Sequence, residues 1–308
     1  MYARVLGYMI IYAPSDVACA TLCTEIFSCH GLDDWTDRLC QLGELSVYRY
    51  IRAFKKFKGR TPVPSEHSSY SSSDQIKIRV MAEIKEAPKN HQDAKAQALV
   101  RDGFRCVVTG LYDRAAVAAK VLAPKDVNNM GMIPIFTECA HIVPSSTYFD
   151  LSDTGTSFSH TVHYAASVLA VFKHFGYDVD KLTEEKVHSL YNVMTLEKNQ
   201  HDWFDRLEMY FEATEEKNRY NITNFWSANL TKKVTLTSTN PQLPLPSPEL
   251  LALHATCAKV AHFSGASEYI DELDRDKDAL KVLSANGESA DILAHALSGL
   301  MSRPLTVQ

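Results

Sequence analysis

The chain has 308 residues, which at roughly 150 residues per domain allows about two domains with a sizeable core. Hydrophobic residues at 45% and charged residues at 22% exclude disorder throughout, and no apolar run approaches the ~18 residues that a membrane helix needs. With Lys+Arg 32 against Asp+Glu 37 the net charge is -5, which excludes a particle that coats nucleic acid by overall charge, so any such contact has to be local.

The seven cysteines are odd in number and scattered, a pattern of reduced intracellular thiols rather than a disulfide framework. The apolar run Val5 to Ala13 is interrupted by Gly7, Tyr8 and Tyr12 and followed by Pro14 and Asp16, with no Ala-x-Ala cleavage site. Secretion is therefore not expected, and the expected location is the nucleus or cytoplasm.

Residues 1–60 form a helical N-terminal region of unassigned role, broken near Pro14 and near Gly31 to Asp34. Toward its end Tyr48, Ile51, Phe54 and Phe57 recur every three residues, beside Arg49, Arg52, Lys55, Lys56, Lys58 and Arg60. The expectation is one amphipathic helix whose cationic face either touches phosphate or is a solvated surface. Residues 61–74 are a Ser/Pro-rich linker, with little to bury. Residues 75–275 are expected to form the second domain, with a helical insertion at about 150–190, followed by a tail or helix over 276–308.

Within that domain, residues 75–100 read as helical with an interruption near Pro88. Gly103 and Gly110 bracket a turn into a short strand, and Ile133 to Phe136 suggests a second. Residues 161–175 and 181–191 have helical patterns, and Asn192 to Leu196 is a brief apolar stretch. His201 to Leu207 reads as one or two helical turns, and Glu208 to Glu212 alternates with the period of a strand. Residues 240–248, with four prolines, are an extended connection; Glu249 to Phe263 is an apolar helix, and an acidic patch runs from Glu268 to Asp278.

Three polar residues in apolar surroundings are candidates for chemistry: His141, Asn192 and His201. On a helix His201 and Asp205 share one face, so an imidazole and a carboxylate can converge on a cation whose remaining coordination stays open to water and phosphate. Magnesium prefers oxygen ligands, whereas manganese or zinc accepts the histidine more readily. A neutral His141 imidazole can take a proton from water near neutral pH. Asn192 can hydrogen-bond across the loop to hold the element bearing His141 against the metal helix. The plain alternatives are a helix-surface hydrogen bond for His201 with Asp205 and a simple cap for Asn192.

The runs Arg101-Asp102-Gly103-Phe104-Arg105-Cys106-Val107-Val108-Thr109-Gly110, Ala140-His141-Ile142-Val143-Pro144, Asn192-Val193-Met194-Thr195-Leu196 and His201-Asp202-Trp203-Phe204-Asp205 together resemble the HNH endonuclease domain, in the form found in uncharacterised fungal proteins. The likeness covers roughly residues 95–270. It implies an α+β fold, mostly helical, around a ββα-metal (HNH/His-Me finger) core. It also implies hydrolysis of double-stranded DNA with a single divalent cation, Mg2+ or Mn2+ ahead of Zn2+, and no membrane association. By resemblance His141 is the general base, Asn192 organises the loop, and His201 is a metal ligand with Asp205 one turn on.

Two departures from the family pattern stand out. Ala140 occupies the place where many active members carry a metal-ligating Asp or His, and Glu138, on the same side of a strand, is the candidate substitute ligand. No cysteine pair follows Cys106 at zinc-site spacing, so a structural zinc is not expected. The competing function is a catalytically inactive HNH-like module that binds nucleic acid or protein. His160, His163 and His174 read as scattered surface residues, Tyr210 and Phe211 as packing, Trp203 as the anchor of the metal helix, and Cys139 as a buried thiol.

Overall fold

The computed structural model describes residues 1–31, 33–55, 88–122, 133–144, 172–173, 187–226, 232–279 and 293. In chain order these form α1 (Tyr2–Ile11), α2 (Asp16–Cys29), α3 (Trp35–Ser46), α4 (His91–Arg101), α5 (Arg114–Ala118), β1 (Thr137–His141), β2 (Val193–Glu197) and α6 (Lys198–Asp205). They continue with β3 (Met209–Ala213), β4 (Arg219–Asn224), β5 (Lys232–Thr235), α7 (Pro248–Ser264) and α8 (Ala266–Ala279). The linker 61–74, the insertion apart from residues 172–173 and 187–190, the tail beyond α8 apart from residue 293, and His160, His163 and His174 lie outside the described residues. Two compact units result, one from Met1–Lys58, Val143–Glu184 and Ala252–Gln308, the other from Gly59–Ile142 and Glu185–Leu251. The chain is mostly helical, and among the described residues the small β region belongs to the second unit.

In the first unit, Pro14 ends the first helical run and Ser15 caps the next, its Oγ accepting from the Ala18 amide at 3.2 Å. Helices α1 and α3 approach so closely that a Cβ on Gly43 would stand 2.6 Å from the Tyr2 Cβ and 2.8 Å from the Tyr2 carbonyl oxygen. Helix α3 runs on through a π turn, Val47–Ile51, into a short helical turn at Arg52–Phe54. Tyr50, Phe54 and Phe172 are buried here with their rings in mutual contact, and the Tyr50 hydroxyl donates to the Leu253 carbonyl at 2.9 Å.

The expected cationic face is not a free surface at Arg52 or Lys55. Arg52 makes a two-pronged ion pair with Asp274, both contacts at 2.9 Å, and Lys55 reaches Asp271 at 3.2 Å; both cations are buried. Two cations of the basic cluster thus pair with two carboxylates of the acidic patch, since a buried charge demands a partner. Lys56, Lys58 and Arg60 lie outside the described residues.

In the second unit, β1 and β2 pair antiparallel in the register Glu138↔Leu196, Cys139↔Thr195, Ala140↔Met194 and His141↔Val193. Alternation puts Cys139 and Val193 on one face and Glu138, Ala140 and Met194 on the other. The first face packs against Ala94 and Ala98 of α4, with Leu190 and Leu243 completing the cluster. Helix α6 follows β2 directly and packs on both strands and on β3. Phe204 on this helix is 1% exposed and edge-on to Phe211, while Trp203, expected as the anchor, is half-buried.

The strand expected over Ile133 to Phe136 starts instead at Thr137, and only Ile135 makes a bridge, with Asp113. At this point the Asp113 carboxylate accepts from the Ala116 amide at 2.8 Å and from the Thr137 hydroxyl at 2.7 Å, tying α5 to the first residue of β1. Similarly, the turn between Gly103 and Gly110 closes on a single bridge, Arg105 with Tyr112, rather than a strand. The described end of the helix expected over 181–191 is a turn at Val187 to Ser189 and a single 3-10 turn, Leu190–Asn192. The strand expected at Glu208 to Glu212 is β3, in a three-stranded antiparallel sheet ordered β3-β4-β5, and Tyr210 and Phe211 are buried in it.

Candidate metal centre

One buried ion pair and the carbonyls around it hold the site together. Arg101, at the end of α4, is 0% exposed; it pairs with Asp102 at 2.7 Å and donates to the carbonyls of Leu190 at 2.7 Å and Val193 at 2.9 Å. Asp102 accepts from the Thr195 amide at 2.9 Å, so one residue pair fastens both β2 and the loop before it. Asn192 is completely buried, its side-chain amide donating to the Val187 carbonyl at 2.9 Å while its own carbonyl accepts from the Ile142 amide at 2.8 Å. It therefore braces the loop Val187 to Asn192 by its side chain and meets the segment after His141 through its backbone carbonyl.

His141 is the last residue of β1. Its Nε2 lies 3.1 Å from Nδ1 of His188, and its ring stacks on that of His91 with centroids 5.4 Å apart. His91 is exposed on the first turn of α4, which Asn90 caps by accepting from the Asp93 amide. The ligand nitrogens of His91, His141 and His188 all lie within 4.8 Å of one another, a cluster able to hold a metal ion. The sequence reading named neither His91 nor His188. The available signals were the position of His91 directly after a capping Asn and that of His188 four residues before Asn192.

His201 lies between two carboxylates. Its Nε2 is 3.3 Å from Asp205 Oδ1, one helical turn on as the spacing predicted, and its Nδ1 is 2.7 Å from Glu138 Oε2. Glu138, the candidate substitute ligand, lies beside His201 and meets the nitrogen opposite the one that faces Asp205. The two carboxylates grip the ring from both sides instead of sharing one nitrogen. Ala140, completely buried opposite Met194, offers no ligand atom.

The local electrostatics separate the two histidines. Burial, reinforced by His91, His188 and His201, pushes His141 down to about 3, so it is a neutral imidazole at pH 7. Loss of surrounding water also lowers His188 and, joined by the nearby His188 and Lys95, His91, whose ring still keeps an exposed edge. For His201 burial acts downward too, but the hydrogen bonds and charges of Asp205 and Glu138 outweigh it and carry the ring up to about 9. A proton on His201 serves there as the cation that two carboxylates require. The Cys139 thiol is pushed up to about 12 by burial and is chemically quiet.

Two antiparallel strands followed by a helix, with a histidine cluster beside them, are consistent with a ββα-metal-like core. Residues 106–212 match the family model described as HNH endonuclease, so such a domain is present over part of the chain. The match contains Glu138, His141, His188, Asn192, His201 and Asp205 and leaves His91 outside. No curated protein and no solved structure matches. Among the described residues no helix is long and apolar enough to cross a membrane.

Proposed function

We propose that the chain is a metal-dependent HNH-type endonuclease that hydrolyses phosphodiester bonds of double-stranded DNA, acting in the nucleus or cytoplasm. The observation that carries this reading is the convergence, inside the matched residues, of a neutral His141 with His201 held between Glu138 and Asp205. The donor set fits a divalent cation: a carboxylate and an imidazole nitrogen 3.3 Å apart have nearly the spacing of adjacent ligands on an ion bound at about 2.1 Å. Asp205 and His201 would hold it, with the proton on His201 given up on binding; Glu138, at the far nitrogen, orients the ring as a carboxylate does behind many metal-bound histidines. Such a cation, Mg2+ or Mn2+ ahead of Zn2+, supplies charge stabilisation to the transition state and the leaving oxygen.

His141 takes the proton from the attacking water. Its Nε2 faces His188, and with the proton of the neutral ring on Nε2 donated to His188 Nδ1, the Nδ1 lone pair is the base. Asn192 holds the loop that carries His188 and so sets the orientation of His141 through that hydrogen bond.

The test is plasmid nicking by wild type, His141→Ala and His201→Ala with magnesium, manganese or EDTA. The expected result is cleavage by wild type that EDTA abolishes, with at least a ~100-fold lower rate for His141→Ala, the scale of a lost general base. A second reading, a catalytically inactive module that binds nucleic acid or protein, is favoured by the buried Ala140. It predicts retention on DNA or a protein partner without cleavage in any metal.

A further inference from the structure

We infer that His91, His141 and His188 form a second metal site, selective for zinc-class cations, whose occupancy silences His141. The first argument is donor chemistry. Three imidazoles and no carboxylate is a nitrogen-only set, which suits Zn2+, Co2+, Ni2+ or Cu2+ and is poor for Mg2+, a cation of oxygen ligands. It differs from the mixed oxygen and nitrogen set of His201 with Asp205.

The second argument is spacing. Nitrogens bound to a tetrahedral zinc at 2.0–2.1 Å stand about 3.3 Å apart. His141 Nε2 and His188 Nδ1 are 3.1 Å apart, and the third nitrogen lies within 4.8 Å of both. His91 is exposed on the first turn of α4, so the cluster opens to solvent on that side. Three protein ligands leave a fourth position to water, the pattern of an accessible, exchangeable ion.

The third argument is the chemistry of the ring, which in its neutral form carries a single lone pair. Ligation by His141 consumes the one lone pair of its neutral ring, and the other nitrogen keeps its hydrogen. A zinc-bound His141 cannot accept a proton from water. This last step rests on the nuclease reading; the site itself does not.

The test uses the full chain stripped with chelator and titrated with Co2+ and Zn2+. One equivalent of Co2+ is expected to give the intense visible absorption of a low-coordinate nitrogen site. His91→Ala and His188→Gln are each expected to weaken Co2+ and Zn2+ binding at least ~10-fold, and His201→Ala to leave the absorption in place. In the nicking assay, one equivalent of Zn2+ slows wild type in the presence of magnesium or manganese by at least ~10-fold, whereas His91→Ala keeps its rate with zinc present. Equal Co2+ binding by wild type and His91→Ala, or loss of the absorption in His201→Ala, overturns the site. A Co2+ absorption that depends on His91 in a protein that cuts DNA with no metal sustains the site and discards the nuclease reading. Equal zinc inhibition of wild type and His91→Ala overturns the silencing.

Discussion

Arg101 and Asp102, neighbours in sequence, close an ion pair at 2.7 Å inside the protein and from it hold the loop before β2 and the middle of β2 at once. The clamp explains why a short hairpin interrupted by a long insertion keeps its register. Removing Arg101 leaves the Asp102 charge buried without its partner and strips the Leu190 and Val193 carbonyls of a donor. Arg101→Ala is expected to cost about 3–5 kcal/mol in urea unfolding. In nicking assays it should also lose activity, because the loop carrying His188 is released.

Asp274 plays the corresponding part in the first unit. Its two contacts with Arg52 are both 2.9 Å, and both residues are buried. Asp274→Ala is expected to destabilise by about 3–5 kcal/mol, whereas the double variant Asp274→Leu with Arg52→Met should recover much of the loss, since an apolar pair carries no desolvation cost. Urea denaturation of the three proteins measures the difference. A double variant no more stable than Asp274→Ala refutes the account.

The contact of α1 with α3 depends on the missing side chain of Gly43. A methyl group there meets Tyr2 backbone and Cβ atoms at 2.6–2.9 Å, and backbone cannot step aside cheaply. Gly43→Ala, a substitution that favours a helix by propensity, is nonetheless expected to lower stability by about 1–3 kcal/mol. An unchanged or raised melting temperature contradicts the close approach.

The pH dependence of the metal-free protein follows from His141 and His201, which shift in opposite senses. His201 is raised to about 9, so its stabilising contribution is complete below the unfolded value near 6.5 and is lost as pH rises through 9. His141 is lowered to about 3, so the folded state is penalised progressively as pH falls from about 6.5 toward 3, where only the unfolded chain takes up the proton. These two groups together place the stability maximum near pH 6.5. Imidazole resonances followed by NMR should show His201 protonated and His141 neutral at pH 7.5, and Glu138→Gln should bring the His201 titration down.

Local periodicity made several elements legible. The alternation over Glu208 to Glu212 marks β3 to within a residue, and the spacing of His201 with Asp205 places them on one helical face. Pro14, Pro241, Pro244 and Pro246 fall where regular structure is interrupted, and Pro248 opens α7. Over one or two turns a bulky ring and a phenyl ring are equally plausible anchors, and in the structure Phe204 is the one fully buried, against Phe211, with Trp203 half-buried beside it. The strand expected from Ile133 begins at Thr137, the residue whose hydroxyl meets Asp113 more than twenty residues earlier.

The sequence by itself determined those features whose cause lies within a few residues: helical and strand periods, caps, proline breaks, and the resemblance carried by His141, Asn192, His201 and Asp205. Tertiary structure alone decided what depends on which faces meet. Helix α4 packing on β1 brings His91 to His141 and puts His188 against both. Pairing across the first unit turns an apparent basic surface into buried ion pairs. A charge or a lone imidazole has no fixed meaning along the chain, because its protonation and its partners are set by the groups that burial places within a few ångströms of it.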